Sequence, residues 1–206
     1  MEIKQFIIGM MQTNCYLAVN NDTKECFMVD APYYDARVTE YIRENGLKLQ
    51  AILLTHGHFD HIMGIDGFLK EFPVPVYAHE EEKALLENAV YNLTDGLTCG
   101  YVFKDAVYVA DGQEIDAAGI KVRVVFTPGH TQGGCCYYLE KEKVLFSGDT
   151  LFCQSVGRTD LPTGSMAKLV HSVREKLFTL PEETVVYPGH MEATTIGHER
   201  LYNEEV

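Results

Sequence analysis

The sequence predicts a mixed α/β fold in which β-sheets pack together and helices cover them. Two observations carry that expectation. Apolar runs of strand length alternate with segments of helical periodicity along the 206 residues. Four of the apolar runs also stop at a glycine-containing turn where a histidine or an aspartate stands, near residues 56, 130, 149 and 190.

Short strands are expected at Lys4–Ile8, Cys15–Val19 and Cys26–Val29. Val38, Tyr41 and Ile42 recur at i, i+3, i+4, so a helix is expected from Asp35 to Asn45, stopped by Gly46. Leu49–Leu54 is an apolar run of strand length. Ile62–Glu71 reads as a helix, Val74–Ala78 as a strand guarded by Pro73 and Pro75, and Glu80–Asn88 as a helix with Leu85 and Leu86 inward. Residues Tyr91–Tyr101 read as an irregular loop. Strands follow at Val107–Ala110, Lys121–Phe126, Cys135–Leu139 and Val144–Phe146. Ser165–Phe178 is expected to be a helix presenting Leu169, Val170, Val173 and Leu177 on one face. Thr184–Tyr187 is a last strand and Thr195–Tyr202 a terminal helix.

No low-complexity tract or Pro/Ser-rich linker interrupts the chain, so one domain over residues 1–206 is expected. With 17 basic against 30 acidic side chains the net charge is −13. That balance argues against a surface for the nucleic-acid backbone. No run approaches the roughly 18 apolar residues of a membrane span. Phe6-Ile7-Ile8 is too short for a secretory core and no basic cluster precedes it, so a cytoplasmic location without a membrane partner is expected. Cysteines 15, 26, 99, 135, 136 and 153 form no C-x-x-C pair and read as reduced thiols. Adjacent Cys135 and Cys136 are expected on opposite faces of a strand.

The chemistry lies at the four turns. Thr55-His56-Gly57-His58-Phe59-Asp60-His61 spends three of the chain's eight histidines within six positions. Thr127-Pro128-Gly129-His130, Ser147-Gly148-Asp149 and Pro188-Gly189-His190 follow the other three strands. Loops at one end of a sheet are where a scaffold gathers functional side chains. Imidazole suits zinc, iron or manganese, and carboxylate favours the harder end of that range. Residues i and i+2 of an extended segment point the same way, so His56 and His58 can grip one ion. Asp60 and His61 come after the chain has turned and can face a second. Seven candidate ligands, His56, His58, Asp60, His61, His130, Asp149 and His190, suit two metals, and a carboxylate such as Asp149 can bridge them.

On these motifs the chain resembles the metallo-β-lactamase fold hydrolases. The Thr-His-x-His-x-Asp-His block (55–61), Thr-Pro-Gly-His (127–130), Ser-Gly-Asp-Thr-Leu-Phe (147–152) and Tyr-Pro-Gly-His (187–190) stand in that family's order. The resemblance implies an αββα sandwich of two packed mixed sheets flanked by helices, with the metals at one edge. It assigns His56, His58 and His130 to the first ion, Asp60, His61 and His190 to the second, and Asp149 to the bridge. Zinc is the first expectation for the two divalent ions, with iron or manganese also compatible.

The stretch Gly157-Arg158-Thr159-Asp160-Leu161-Pro162 after Phe152 is similar to type II glyoxalases (hydroxyacylglutathione hydrolases), in particular their short bacterial branch. That likeness implies attack of a metal-bridging hydroxide on a small-molecule thioester such as S-lactoylglutathione, with Asp60 orienting the hydroxide while serving as a ligand. Arg158 stands where a basic substrate contact is expected. Asp160 stands where an aromatic is common, and Met191 follows His190 where a tyrosine is typical.

The rival within the fold is a persulfide dioxygenase using one iron on the equivalents of His56, His130 and Asp149. A true β-lactamase ranks lower, since position 61 there is usually not histidine. A module that binds metal without catalysis ranks lower, because no ligand position is missing. His79 and His171 read as ordinary polar residues and His198 and Arg200 as a solvated helix face, while Cys153 reads as small-residue packing.

Overall fold

A computed structural model describes residues 1–97 and 100–206. Cys99, read above as a reduced thiol, lies outside the described residues, as do positions 98 and 99 of the expected irregular loop. The other five cysteines are free thiols.

The first sheet runs in spatial order β1 (Glu2–Ile8), β2 (Thr13–Val19), β3 (Glu25–Val29), β4 (Lys48–Leu53), β5 (Val76–His79), β6 (Val107–Val109). Its first three strands pair antiparallel and the rest parallel. The second sheet is built from β7 (Glu114–Ala117), β8 (Ile120–Phe126), β9 (Cys135–Leu139), β10 (Val144–Gly148), β13 (Val185–Pro188) and β14 (Thr194–Thr195). Only its β10–β13 pair is parallel. A small hairpin, β11 (Leu151–Phe152) with β12 (Ser155–Val156), follows β10.

The period-2 alternation of each strand makes the layers. Tyr16, Phe27 and Leu53 of the first sheet meet Val124, Cys135, Tyr137 and Phe146 of the second in a core between the sheets. The residues next to them point outward. Leu17, Met28 and Ile52 pack against Val38 and Ile42 of α1 (Ala36–Glu44), and against Ile65 and Phe68 of a later helix described below. Cys136, Tyr138 and Leu145 pack against Leu169 and Val173 of α5 (Met166–Glu175) and Ile196 of α6 (Ile196–Tyr202). The result is the expected αββα sandwich, and Cys135 and Cys136 do face opposite layers. No helix among the described residues is long and apolar enough to cross a membrane.

Some expected elements are redrawn. The helix expected over 62–71 is two, α2 (Phe59–Ile62) and α3 (Ile65–Glu71), separated at Gly64, where a Cβ would strike the backbone of Tyr33. The helix expected at 80–88 is a 3-10 turn, Glu80–Glu82, running into the single turn of α4 (Lys83–Leu86). Strand β7 and the β11–β12 hairpin had no strong period in the sequence. They form because β8 and the segment after Asp149 offer partners, a tertiary effect that local pattern does not carry. Helix α1 starts at Asp35, whose side chain accepts from Arg37 N, and α6 at Thr195, whose hydroxyl accepts from His198 N.

Candidate metal centre

Strands β4, β8, β10 and β13 all end on one edge of the sandwich, and the seven expected ligands stand just beyond them. His58 is extended (φ −65°, ψ 151°), so His56 and His58 share a side of the chain. Helix α2 then begins at once and swings Asp60 and His61 to the neighbouring position. At Gly129 (φ +149°) a Cβ would run into the backbone of Leu169, so glycine lets the His130 turn sit directly against α5. A Cβ at Gly189 would collide with Asp149 Oδ1, so the β13 turn needs glycine to bring His190 beside that carboxylate.

Two groups of donors result. The ligand atoms of His56, His58 and His130 all lie within 4.8 Å of one another, and so do those of Asp60, His61 and His190. His58 Nδ1 faces His130 Nε2 at 2.9 Å. His190 Nε2 stands 3.3 Å from Asp60 Oδ2. Asp149 reaches both groups: Oδ1 is 3.4 Å from His61 Nε2, and Oδ2 is 3.6 Å from His130 Nε2 and 3.5 Å from His190 Nε2.

Hydrogen bonds behind the ring atoms aim them. His61 Nδ1 donates to Asp30 Oδ2 at 2.8 Å, His130 Nδ1 to the Arg158 carbonyl at 2.8 Å, and His190 Nδ1 to the Met11 carbonyl at 3.2 Å. Each bond puts the proton on Nδ1 and turns the Nε2 lone pair inward. His56 Nε2, His61 Nε2 and Asp149 Oδ1 are buried without any hydrogen-bond partner. Buried polar atoms are rarely left so, and three aimed at one spot fit a divalent cation.

The charges fit as well. Burial pushes His56, His58 and His130 toward the neutral imidazole that binds metal, His58 to about 3. Burial also works against protonated His61, but Asp30, Asp149 and Asp60 outweigh it and hold the ring well above its ordinary value. In His190 the same contest, decided by Asp149 and Asp60, leaves the pKa at about 9. Burial would raise Asp149, yet His61, His190 and His130 keep it well below the usual carboxylate range. In the metal-free protein, the raised pKa values of His61 and His190 set protonated imidazoles against the carboxylates of Asp30, Asp60 and Asp149.

Two supporting residues escaped the sequence reading. Asp30 accepts from Thr55 N, Thr55 Oγ1 and His61 Nδ1, each at 2.8 Å. Its signal was present, since it ends an apolar strand as the other turn residues do. Glu82 is buried and accepts from Gly57 N, Thr131 Oγ1 and Gly133 N, tying the His56–His58 turn to the His130 turn. Burial raises it to about 7 despite those three bonds. Nothing in the run Glu80-Glu81-Glu82 marks which acid turns inward.

Above the ligands lies a cleft of about 380 Å³, lined by Met11, Phe59, Leu93, Phe152, Arg158 and Leu161 together with His58, Asp60, His130, Asp149 and His190. Arg158 thus stands at the cleft as expected, but its guanidinium is paired with Asp160. A larger surface groove of about 800 Å³, lined in part by Glu81, Lys168 and His171, holds none of the seven. His79 is buried and stacked on Phe126 at 4.1 Å, outside the cluster. Cys153, His198 and Glu199 also lie close together. There Glu199 is committed to Thr194 Oγ1, Gln154 N and Asn203 Nδ2, which makes it a structural anchor.

A family model described as "Metallo-beta-lactamase superfamily" matches residues 8–190. "Probable metallo-hydrolase YqgX" of Bacillus subtilis is 36% identical over 206 residues, covering 98% of this chain and 96% of that protein. "Hydroxyacylglutathione hydrolase GloC" of Haemophilus influenzae is 32% identical over 206 residues, covering 98% and 97%. Among solved structures, BLEG-1, a B3 metallo-beta-lactamase, superposes with a TM-score of 0.91 at 39% identity, covering 98% of both chains. TTHA1623, solved in a di-iron-bound form, gives 0.87 at 31%, covering 98% of this chain and all of that one. ETHE1 from Myxococcus xanthus gives 0.81 at 28%, covering 99% and 84%.

Proposed function

The chain belongs to the metallo-beta-lactamase superfamily, and from that membership we propose that it is a two-metal thioester hydrolase of the type II glyoxalase kind. The observation that carries the two-ion reading is Asp149, whose two carboxylate oxygens face histidines of both donor groups. The hydroxyacylglutathione hydrolase of H. influenzae, matched over nearly its whole length, supports a thioester as the substrate.

His56, His58 and His130 would hold one ion, Asp60, His61 and His190 the other, with Asp149 between them. Divalent ions there supply a hydroxide nucleophile at neutral pH and polarise the carbonyl to be attacked. Zinc, iron and manganese all suit the donors. The chain's own residues set the geometry. Thr13 Oγ1 donates to Asp60 Oδ2 at 3.2 Å and fixes that carboxylate at the cleft floor, where it can orient the attacking oxygen. Phe59, Leu93, Phe152 and Leu161 wall the cleft and limit competing water. In the reaction the oxygen of water bonds to the thioester carbon and the C–S bond breaks with its electron pair passing to sulfur. A carboxylate and a thiol are released, one proton of the water ending on sulfur and the other in solvent. A thiol of pKa about 8.5 leaves readily as thiolate, so no general acid is required.

The test measures metal content, then hydrolysis of thioesters including S-lactoylglutathione beside oxygen uptake with glutathione persulfide. Thioester hydrolysis with two ions per chain is the expected result. Oxygen consumption with every thioester left intact overturns it in favour of the dioxygenase. The 39% identity to BLEG-1 makes a β-lactam the third substrate to assay, and hydrolysis of that amide alone also overturns the reading.

A titration of metal into metal-free protein at pH 7 supplies a further check. His61 and His190 carry protons in that state and must lose them to bind, whereas His56, His58 and His130 are already neutral. Filling the Asp60/His61/His190 site should therefore release about two protons per ion, and filling the other site almost none. Affinity at the releasing site rises with pH until both imidazoles have titrated, His190 at about 9, and falls as pH drops below that range. Calorimetry in buffers of different ionisation heat reads the count, and equal release at both sites contradicts the assignment.

A further inference from the structure

The cleft that receives the substrate has an unusual balance of side chains. Apart from the candidate ligands, Arg158 is the one charged residue among the described residues that line it. Its guanidinium is already engaged in a two-pronged pair, Nε to Asp160 Oδ1 and Nη2 to Asp160 Oδ2, both at 2.7 Å. The matched fork-to-carboxylate geometry favours the pair, while its exposure, 63% for Arg158 and 68% for Asp160, lets water screen it. Asp160 is held down to about 2 by those same bonds, so the carboxylate stays ionised at any working pH. The backbone beneath is fixed too, because the Arg158 carbonyl accepts from His130 Nδ1.

A substrate carboxylate arriving here meets a pair that is already neutral. The rest of the wall gives it nothing better. Met11, Phe59, Leu93, Phe152 and Leu161 are apolar. Met11 lies in the β1–β2 turn. The chain as a whole carries −13, which repels an anion further at low salt. Among the wall residues, the flexible thioether of Met11 adapts to apolar groups of varied shape. The cleft volume, about 380 Å³, sits at the small end of ligand sites, so the acyl group and the near part of the carrier would fill it.

Resting on the thioesterase reading, we propose that the cleft prefers thioesters whose carrier thiol is uncharged and largely apolar, and that the Arg158–Asp160 pair disfavours anionic carriers by withholding the guanidinium.

The experiment compares two thioesters with the same acyl group on the metal-loaded protein, S-lactoyl-N-acetylcysteamine (neutral carrier) and S-lactoylglutathione (net negative carrier). The neutral thioester should show the higher kcat/KM, by about tenfold. In Asp160→Asn, which frees the guanidinium at an exposed position, the ratio should move toward glutathione by about fivefold. The gain should appear in KM and not in kcat. Adding Arg158→Ala to that variant should remove the gain, which assigns it to the guanidinium. Preference of the wild-type protein for the glutathione thioester overturns the proposal, and so does an unchanged ratio in Asp160→Asn. If neither thioester is cleaved, the hydrolase reading fails first and this inference with it.

Discussion

Asp149→Ala should lower kcat/KM by about 10³-fold or more and strip the protein of at least one metal ion. Asp149 directs its two carboxylate oxygens at histidines of both donor groups, at 3.4–3.6 Å from His61, His130 and His190. Charge stabilisation by a metal centre amounts to several kcal/mol, and each 1.36 kcal/mol is tenfold in rate, which sets the scale of the loss. The fold should survive, because Asp149 has no partner in either hydrophobic layer and β10 is held by β9 and β13 through Val144–Phe146. A second readout separates loss of a ligand from general damage. His190 titrates at about 9 because Asp149 and Asp60 outweigh its burial, so removing Asp149 must move it downward. NMR titration of the metal-free variant reads that shift. A folded Asp149→Ala protein with full metal content and full activity refutes the bridged centre.

The strands were legible as apolar runs, while the sandwich itself came from the resemblance that the motif order carries, since each run feeds two layers. Tyr16 and Leu17, Phe27 and Met28, and Leu145 and Phe146 are neighbours in sequence that enter different layers. The candidate ligands were legible for a related reason. His and Asp at the ends of buried strands have few structural reasons to be there, and four such ends repeat the arrangement. What stayed hidden was everything set by contact between distant segments. Glu82 looks like one of three equivalent acids, and only the meeting of the Gly57 and Gly133 loops makes its carboxylate the acceptor for both. The break between α2 and α3 depends on Tyr33 crowding Gly64, more than 30 positions away. Arg158 was read from its place in a motif, whereas its availability depends on where Asp160 turns, a matter of side-chain geometry.

Asp30 shows how a residue outside the ligand set should control one ion more strongly than the other. Its carboxylate accepts from Thr55 N and Thr55 Oγ1 at the start of the His56 turn, and from His61 Nδ1. All three groups are buried. Asp30→Ala leaves a backbone amide and an imidazole N–H without acceptors, at a cost of about 1–3 kcal/mol each, so Tm should fall markedly. Asp30→Asn is the sharper variant, because it keeps the shape. Its Oδ1 can still accept from Thr55 N, while the amide nitrogen in the other position must donate. His61 Nδ1 then has to accept, and the ring proton moves to Nε2, where it points at Asp149 and occupies the lone pair that binds metal. Affinity at the Asp60/His61/His190 site should drop by about 10–100-fold, the range for losing such a supporting bond. His58 and His130 make no contact with Asp30, and His56 is linked to it only through the Thr55 hydroxyl, 3.2 Å from His56 Nδ1, so their ion should be the less affected of the two. Metal analysis should therefore fall from two ions per chain toward one, with the imidazole tautomer read by ¹⁵N NMR. Retention of both ions at wild-type affinity would show that Asp30 does not set the tautomer of His61.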